Sequence, residues 1–292
     1  MFNAWSGRLM AAVLGAFLCA PAALSQTKPA AAATGPFAKV PPLPTACYSA
    51  GETFYPKLEA AQAAVAADRD KQEAVNQTIK DDFQNIDMME KATRMQQWMM
   101  SNPQEAAKFM QAQQAVGTDM QPAIQADGEV ETKFANEQKE MIPRYQAALK
   151  QAFAPADAKF AALVKKLVDA QGCSFGDGEC GIPDWAKAEY NAIQKEKDAA
   201  YVATCPQWWG ASGQVTAYMK RYKDWLVQKH IPFHQSLEAH LLSQYAIMNT
   251  PSASYRSTEP YKGAHEYMNA AFVFYQRRDE KPRCTAAGCD SY

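Results

Sequence analysis

Apolar side chains recur at helical spacing over most of the chain beyond residue 53. Between residues 53 and 100, one seven-residue frame contains Leu58, Val65, Ile79 and Ile86. The polar residue Gln72 occupies the same frame and interrupts it. Interrupted heptads favour an antiparallel helical hairpin or bundle over a long parallel coiled coil. The pattern therefore predicts one long N-terminal helix that packs against later helices.

Further helical patterns follow, separated by proline and glycine. Gly117 and Pro122 frame a predicted loop, Pro143 is expected to kink one helix, and Pro232 is expected to kink or split another. The predicted segments are residues 103–116, 129–153, 155–171, 183–204, 212–248 and 261–278. No run alternates with a period of two between hairpin turns. We therefore predict an all-α fold, made of helical hairpins or a bundle and stapled by disulfides.

The first 25 residues have the form of a secretory signal peptide. Arg8 precedes an apolar run over residues 9–20, and Ala23-Leu24-Ser25 supplies small residues at the cleavage positions. This form predicts export to a periplasm or, alternatively, secretion outside the cell.

The rest of the chain divides by composition. Residues 26–46 are rich in Ala and Pro and lack apolar mass, so we expect a disordered linker. Residues 47–292 are expected to form an all-helical body. That body is either one unit or a long hairpin over residues 47–171 joined to a disulfide-bearing helical part over residues 172–292.

Six cysteines follow the predicted signal peptide, and an even number in an exported chain indicates disulfides. Six cysteines allow fifteen pairings. Proximity along the chain favours the pairs Cys173–Cys180 and Cys284–Cys289, and it leaves Cys47–Cys205. The chain has no Cys-x-x-Cys motif, so structural disulfides are favoured over redox catalysis.

Charge and hydropathy argue against nucleic-acid binding and against a transmembrane anchor. Lys and Arg total 30 against 31 for Asp and Glu, a net charge of −1. Without a basic surplus, the chain is not expected to bind nucleic acid. No segment beyond the predicted signal approaches the ~18 apolar residues that span a bilayer, so no transmembrane anchor is expected after cleavage.

Methionine is concentrated between residues 88 and 120, and three interpretations of it stay open. The methionines fill a helical core, form a deformable surface for a partner protein, or bind Cu(I) through their thioethers. The adjacent Trp208 and Trp209 are either a binding platform or packing over the core. The candidate partner surface comprises Met95, Trp98, Met99, Met100, Phe109, Trp208 and Trp209.

Histidine offers two incomplete metal-binding patterns. His230 and His234 have the spacing of helical ligands, but Pro232 between them is expected to disturb the turn and leave exposed or capping histidines. His265-Glu266 begins like the zinc-protease motif His-Glu-x-x-His, but Asn269 replaces the second histidine. We therefore assign no metal ligand, cofactor or catalytic residue from the sequence.

The leading functional hypothesis is an exported, non-catalytic helical protein that binds another protein in the cell envelope or outside the cell. The long interrupted-heptad helix, the Met-rich segment and the lack of catalytic motifs favour a chaperone-like or scaffold role. The general form is similar to that of small periplasmic helical chaperones, but no motif of theirs is matched. One alternative is extracytoplasmic copper handling by Met and His. Another is hydrolysis of envelope polymers by carboxylates that only the fold brings together. The sequence sets neither the partner nor the oligomeric state.

Overall fold

Long helices dominate the structure, a computed structural model. It describes residues 35–44, 46–48, 54–172, 181–275, 284–285 and 288–289, without the side chains of residues 112–119, 240, 285, 288 and 289. The helices are α1 (Tyr55–Gln84), α2 (Met88–Ser101), α3 (Pro103–Gln171), α4 (Asp184–Thr204), α5 (Pro206–Trp209), α6 (Gln214–Trp225), α7 (Ile231–Ile247) and α8 (Glu259–Phe274). A π turn, Leu226–His230, connects α6 to α7. The all-α prediction is confirmed. Within the described ranges, no helix combines the length and apolar character that a membrane crossing requires.

The helix predicted over residues 53–100 is interrupted. α1 ends at Gln84 and α2 begins at Met88. The Asp87 carboxylate accepts a hydrogen bond of 2.8 Å from the N–H of Met89, which caps the start of α2. The apolar frame continues through the break, so periodicity alone does not reveal it.

At α3 the sequence predicted three helices, but the structure has a single helix of 69 residues. The loop predicted at Gly117 and Pro122 is wrong, since the backbone is helical through both. Pro122 and Pro143 are exposed on the surface of α3. A proline removes one helical hydrogen bond, but at an exposed position water satisfies the freed carbonyl and the helix continues.

The described chain forms two compact units, and each draws on separate stretches of sequence. The first unit comprises Ala63–Phe134 and Asp224–Glu266 with residues 35–39. The second unit comprises Val40–Gln62 and Ala135–Lys223 with residues 267–275 and 284–289 where they are described. The boundary considered at residue 172 does not separate them.

In the first unit, α1 packs on α7 and on the segment before α8. Ile79, Tyr245 and Tyr255 form a buried cluster, and the ring centroids of Phe83 and Tyr245 are 4.8 Å apart. The buried amide of Asn76 donates to the carbonyl of Arg256 at 2.7 Å and accepts from the Arg256 N–H at 3.2 Å. These two hydrogen bonds hold the chain segment that leads into α8.

Part of the predicted linker is ordered in the first unit. Pro36–Lys39 forms a 3₁₀ turn in which Pro36 and Phe37 are buried. The ammonium group of Lys39 donates to the Asp68 carboxylate. A disordered linker is therefore wrong for these residues, whereas residues 26–34 and the predicted signal peptide lie outside the described residues.

The core of the second unit has two parts. One joins α3 to α4 through Ala156, Leu163, Leu167, Ala186, Tyr190 and Ile193. The other contains Trp208 and Trp209, which are 4% and 3% exposed and pack edge-on against Tyr145. The two tryptophans therefore do not form the partner surface predicted for them, because the short helix α5 turns both rings inward.

A disulfide joins Cys47 to Cys205, with 6.1 Å between their Cα atoms and a sequence separation of 158. Cys284 is also disulfide-bonded, and it faces Cys289 across a two-residue antiparallel ladder, Cys284–Thr285 with Gly288–Cys289. Cys173 and Cys180 lie outside the described residues. The long-range bond joins the segment before α1 to the end of α4.

Replacing Asn76 tests the bond that holds the chain before α8. We expect Asn76→Ala to lower the free energy of unfolding by about 2–3 kcal/mol, because both backbone groups of Arg256 lose a buried partner. Urea denaturation followed by circular dichroism measures this loss. Gln77→Ala is the matched control at an exposed neighbour and should cost less than about 0.5 kcal/mol. Equal effects of the two substitutions would contradict the assignment.

Candidate metal centre

Three side chains from distant parts of the sequence converge in the first unit. Asp127 lies on α3, His230 ends the π turn, and His234 lies in the first turn of α7. The Nδ1 atom of His230 is 2.7 Å from Oδ2 of Asp127, and Nε2 of His234 is 3.2 Å from the same oxygen. One potential ligand atom from each residue lies within 4.8 Å of the other two. We call these three residues the Asp-His-His cluster.

The π turn explains why Pro232 does not separate the two histidines. Proline has no N–H, so the α-helical bond from Pro232 to the carbonyl of Gln228 cannot form. Immediately before it, the N–H of Ile231 donates to the carbonyl of Leu226, five residues earlier. This wider turn accommodates the hydrogen bond that Pro232 cannot make. π turns often occur at functional sites. The disturbance expected at Pro232 is present as this π turn, which divides α6 from α7. It does not separate the histidines, because the ring centroids of His230 and His234 are 4.4 Å apart.

The Asp-His-His cluster is largely shielded from water but remains accessible. The side chains of Asp127 and His230 are 13% and 12% exposed, and that of His234 is 33% exposed. The ring of Trp225 lies 4.7 Å from that of His230, and Phe134 packs on Trp225 at 5.4 Å. Aromatic walls on one side lower the local dielectric and strengthen charge interactions, while His234 keeps a route to solvent.

The cluster matches the donor set of a divalent transition metal. Imidazole nitrogen and carboxylate oxygen bind Zn²⁺ at about 2.0–2.2 Å, which places neighbouring ligand atoms of a tetrahedral site about 3.3 Å apart. The two observed nitrogen–oxygen distances, 2.7 and 3.2 Å, lie slightly below that separation. Two imidazole N–H groups can donate to the shared carboxylate oxygen without a metal. A cation held there would take the place of those two hydrogens, each neutral ring would carry its proton on the other nitrogen, and the shorter contact would open by about 0.6 Å.

A second carboxylate, Glu266 on α8, lies in the same electrostatic environment. Its surroundings raise the pKa of Glu266 from 4.5 to about 7, mainly through burial and then through repulsion from Glu131 and Glu259. Lys262 opposes this rise of the pKa, and Asp127 adds a smaller repulsion. The Glu266 side chain is nevertheless exposed to solvent.

The predicted partner surface divides between the two units. Met95, Trp98, Met99 and Phe109 are half-buried in the first unit, and Met100 is exposed. The rings of Trp98 and Phe109 pack edge-on at 5.7 Å, so part of this group stabilises the junction of α2 and α3. Trp208 and Trp209 belong to the core of the second unit.

The sequence analysis noted the spacing of two members of the Asp-His-His cluster without assigning them as ligands, and it missed the third member. The helical spacing of His230 and His234 was the only local signal. Asp127 lies 103 residues before His230, and nothing near it in the sequence marks it as a ligand. Glu266 was noted only within a motif that lacks its second histidine.

Comparisons of the chain with protein-family models, curated proteins and solved structures found no match.

Neutralising Glu266 is expected to make the protein more stable at alkaline pH. A carboxyl with a raised pKa keeps its proton in the folded state between pH 4.5 and about 7, where the unfolded chain has lost it. Stability therefore falls as the pH rises through that range. We expect Glu266→Gln to raise the melting temperature at pH 8 by about 1–3 °C, after allowance for solvent screening, and to change it little at pH 4. Differential scanning calorimetry measures both.

The control is Glu140→Gln, the same substitution at an exposed position on α3. A gain from Glu266→Gln that is equal at pH 4 and pH 8 would show that the carboxylate charge is not its cause.

Proposed function

We propose that this protein is an exported metal-binding protein whose site is the Asp-His-His cluster. The observation that carries the proposal is the convergence of two imidazole nitrogens on one carboxylate oxygen, at 2.7 and 3.2 Å, across three sequence-distant positions. Two imidazole nitrogens and one carboxylate oxygen within 4.8 Å of one another are a donor set that binds divalent transition metals.

The donor chemistry favours Zn²⁺ or a similar divalent ion over Cu(I). Thioether and thiolate ligands select Cu(I), whereas imidazole and carboxylate suit Zn²⁺, Fe²⁺ and related ions. The metal-handling alternative considered from the sequence is thus retained, but its proposed ligands move from the methionines to Asp127. With three protein ligands, the site keeps at least one coordination position for water or a further ligand.

Export is part of the proposal, and two features support it. The first 25 residues have the composition of a signal peptide. The disulfide between Cys47 and Cys205 fits an oxidising compartment, because such bonds rarely persist in the cytoplasm of mesophiles. The periplasm is the compartment that we propose, with secretion outside the cell as the alternative.

Zinc titration of the full-length protein tests the metal site. We expect one Zn²⁺ ion per chain, measured by competition with a chromophoric chelator. Asp127→Asn, His230→Ala and His234→Ala should each weaken binding at least about 100-fold, because each removes one ligand. Binding should also weaken on acidification, since ligating imidazoles must release their protons.

His265→Gln is the matched control, because it removes a histidine that is not part of the cluster. It should leave the stoichiometry and affinity unchanged. If wild-type protein binds no Zn²⁺, or if the His265 variant loses as much affinity as the His230 variant, the proposed site is wrong.

A second candidate function is the binding of a partner protein through α2. None of the 14 residues of α2 is buried, and Met88, Met89 and Met100 are 79%, 78% and 73% exposed. Such an exposed, flexible apolar surface is typical of proteins that accommodate varied partners. This observation supports the partner-binding hypothesis for α2 and the start of α3, but not for Trp208 and Trp209.

Site-specific photo-crosslinking in the native organism tests this second function. A crosslinking amino acid at position 89 or 100 should give discrete higher-mass adducts, because those side chains face solvent. The same amino acid at the exposed Lys150 of α3 is the control and should give none. Identical adduct patterns at all three positions would count against a dedicated surface on α2.

A further inference from the structure

We propose that the second unit contains a separate binding site, an aromatic cavity in which the indole N–H of Trp209 donates to a carbonyl oxygen of a proline-containing peptide. The cavity lies within this unit and forms no part of the metal centre. Its walls come from the segment before α1, from the end of α4 with α5, and from the residue after α8. Four aromatic rings line it, those of Tyr48, Tyr201, Trp209 and Tyr275.

The four rings are packed in two pairs. The ring centroids of Tyr48 and Tyr201 are 4.3 Å apart, and those of Trp209 and Tyr275 are also 4.3 Å apart. The last three of these side chains are buried, whereas Tyr48 is half-buried and Ala46, which also lines the cavity, is exposed. The cavity therefore has a buried floor and opens to solvent beside Tyr48. It measures about 200 Å³ with its opening, and its centre has room for one group of about the size of a water molecule.

Tyr48 has an unusual backbone conformation at this opening. Its φ is +62°, in the left-handed region that bulky residues rarely adopt. The preceding residue, Cys47, also lines the cavity and is disulfide-bonded to Cys205. The hydroxyl of Tyr48 donates to Oδ1 of Asp198 at 3.0 Å. Residues that are held in such conformations cluster at ligand-binding sites, so this observation favours a site at the opening.

The indole N–H of Trp209 is the observation that points most directly to a ligand. Trp209 is 3% exposed, and its Nε1 atom is buried without a hydrogen-bond partner among the described residues. The hydroxyl of Thr216 donates to the carbonyl of Trp209 at 2.9 Å and fixes its backbone. A buried donor that stays unpaired is unfavourable, and an indole N–H can only donate. Trp209 thus serves as the floor of a cavity, not as an exposed platform, and an acceptor atom that enters the cavity stabilises it.

The lining favours a carbonyl oxygen as that acceptor. No charged side chain is among the described residues that line the cavity, so an ion would lose its hydration without gaining a charged partner. A carbonyl oxygen accepts a hydrogen bond without bringing a donor of its own. In an X–Pro bond the peptide nitrogen carries no hydrogen either, so no further polar group loses its partner on binding.

Proline also matches the walls of the cavity. Aromatic-lined grooves bind extended proline-rich segments, because the rigid proline ring packs on aromatic faces at a small cost in entropy. Pro44 of this chain is buried in the same lining, which shows that a proline ring fits among these side chains. Only the carbonyl oxygen of the ligand has to enter the narrow centre, while its proline ring stays at the opening beside Tyr48.

Titration of the full-length, oxidised protein with acetyl-hexaproline amide tests this site. We expect the indole proton signal of Trp209 in ¹H–¹⁵N NMR spectra, identified by its loss in Trp209→Phe, to move downfield as the proton becomes hydrogen-bonded. Trp209→Phe keeps an aromatic ring without the N–H and should weaken binding about three- to tenfold, measured by fluorescence anisotropy of the labelled peptide. Trp185→Phe, at an exposed tryptophan outside the lining, is the matched control and should leave the affinity unchanged.

Acetyl-hexaalanine amide, which lacks X–Pro bonds, and the neutral sugar cellohexaose are the control ligands. If hexaproline binds no more tightly than hexaalanine, or if only cellohexaose moves the Trp209 signal, the assigned ligand is wrong. If no ligand moves that signal, or if Trp185→Phe weakens binding as much as Trp209→Phe, the site itself is overturned.

Circular dichroism shows whether Trp209→Phe folds. Should it not fold, Tyr48→Leu at the half-buried opening takes its place. We expect Tyr48→Leu to weaken hexaproline binding at least about threefold, because the opening loses an aromatic wall. An unchanged affinity in Tyr48→Leu would then overturn the site.

Discussion

The five-residue π turn at Leu226–His230 is the constraint on which the candidate metal centre depends. A proline at position 232 would ordinarily kink the helix and rotate the histidines on either side of it apart. The hydrogen bond from the N–H of Ile231 to the carbonyl of Leu226 confines the departure from α-helical geometry to the turn before the proline. Both histidines then face α3, where one carboxylate oxygen meets both rings. A helix irregularity that is costly by itself thus creates a convergent set of nitrogen atoms.

Contacts made by neighbouring elements keep that turn in place. Buried Leu226 begins the π turn, and Gly263 allows α8 to pack directly against it. The chain before α8 is in turn held by the amide of Asn76 from α1. These three contacts link α1, α8 and the π turn in the first unit. The Asp-His-His cluster is therefore supported by elements that are far apart in sequence and share no local motif.

Much of the fold was predictable from the sequence, whereas most of the site was not. Periodicity identified the helical class and the start of α4, because an apolar face is a local property. It missed the break before Met88, since the Asp87 cap leaves the apolar frame intact, and it broke α3 at prolines that water accommodates. The sequence left open whether Trp208 and Trp209 form a binding platform or pack over the core, because local pattern does not show which face of a short helix turns inward. Asp127 was not predicted as a ligand, because only the fold of α3 brings it close to the two histidines.

Charge crowding gives the candidate metal centre its electrostatic character. In the metal-free protein, two N–H groups of the Asp-His-His cluster donate to one carboxylate oxygen, so these side chains satisfy one another. At Glu266, burial and the neighbouring acids outweigh the attraction of Lys262 and favour the protonated form. A divalent ion bound at the proposed site would attract these carboxylates, and each neutral imidazole would carry its proton on the ring nitrogen that does not bind the metal. Under the proposed function, the repulsion that is unfavourable in the metal-free protein would therefore favour the binding of a cation.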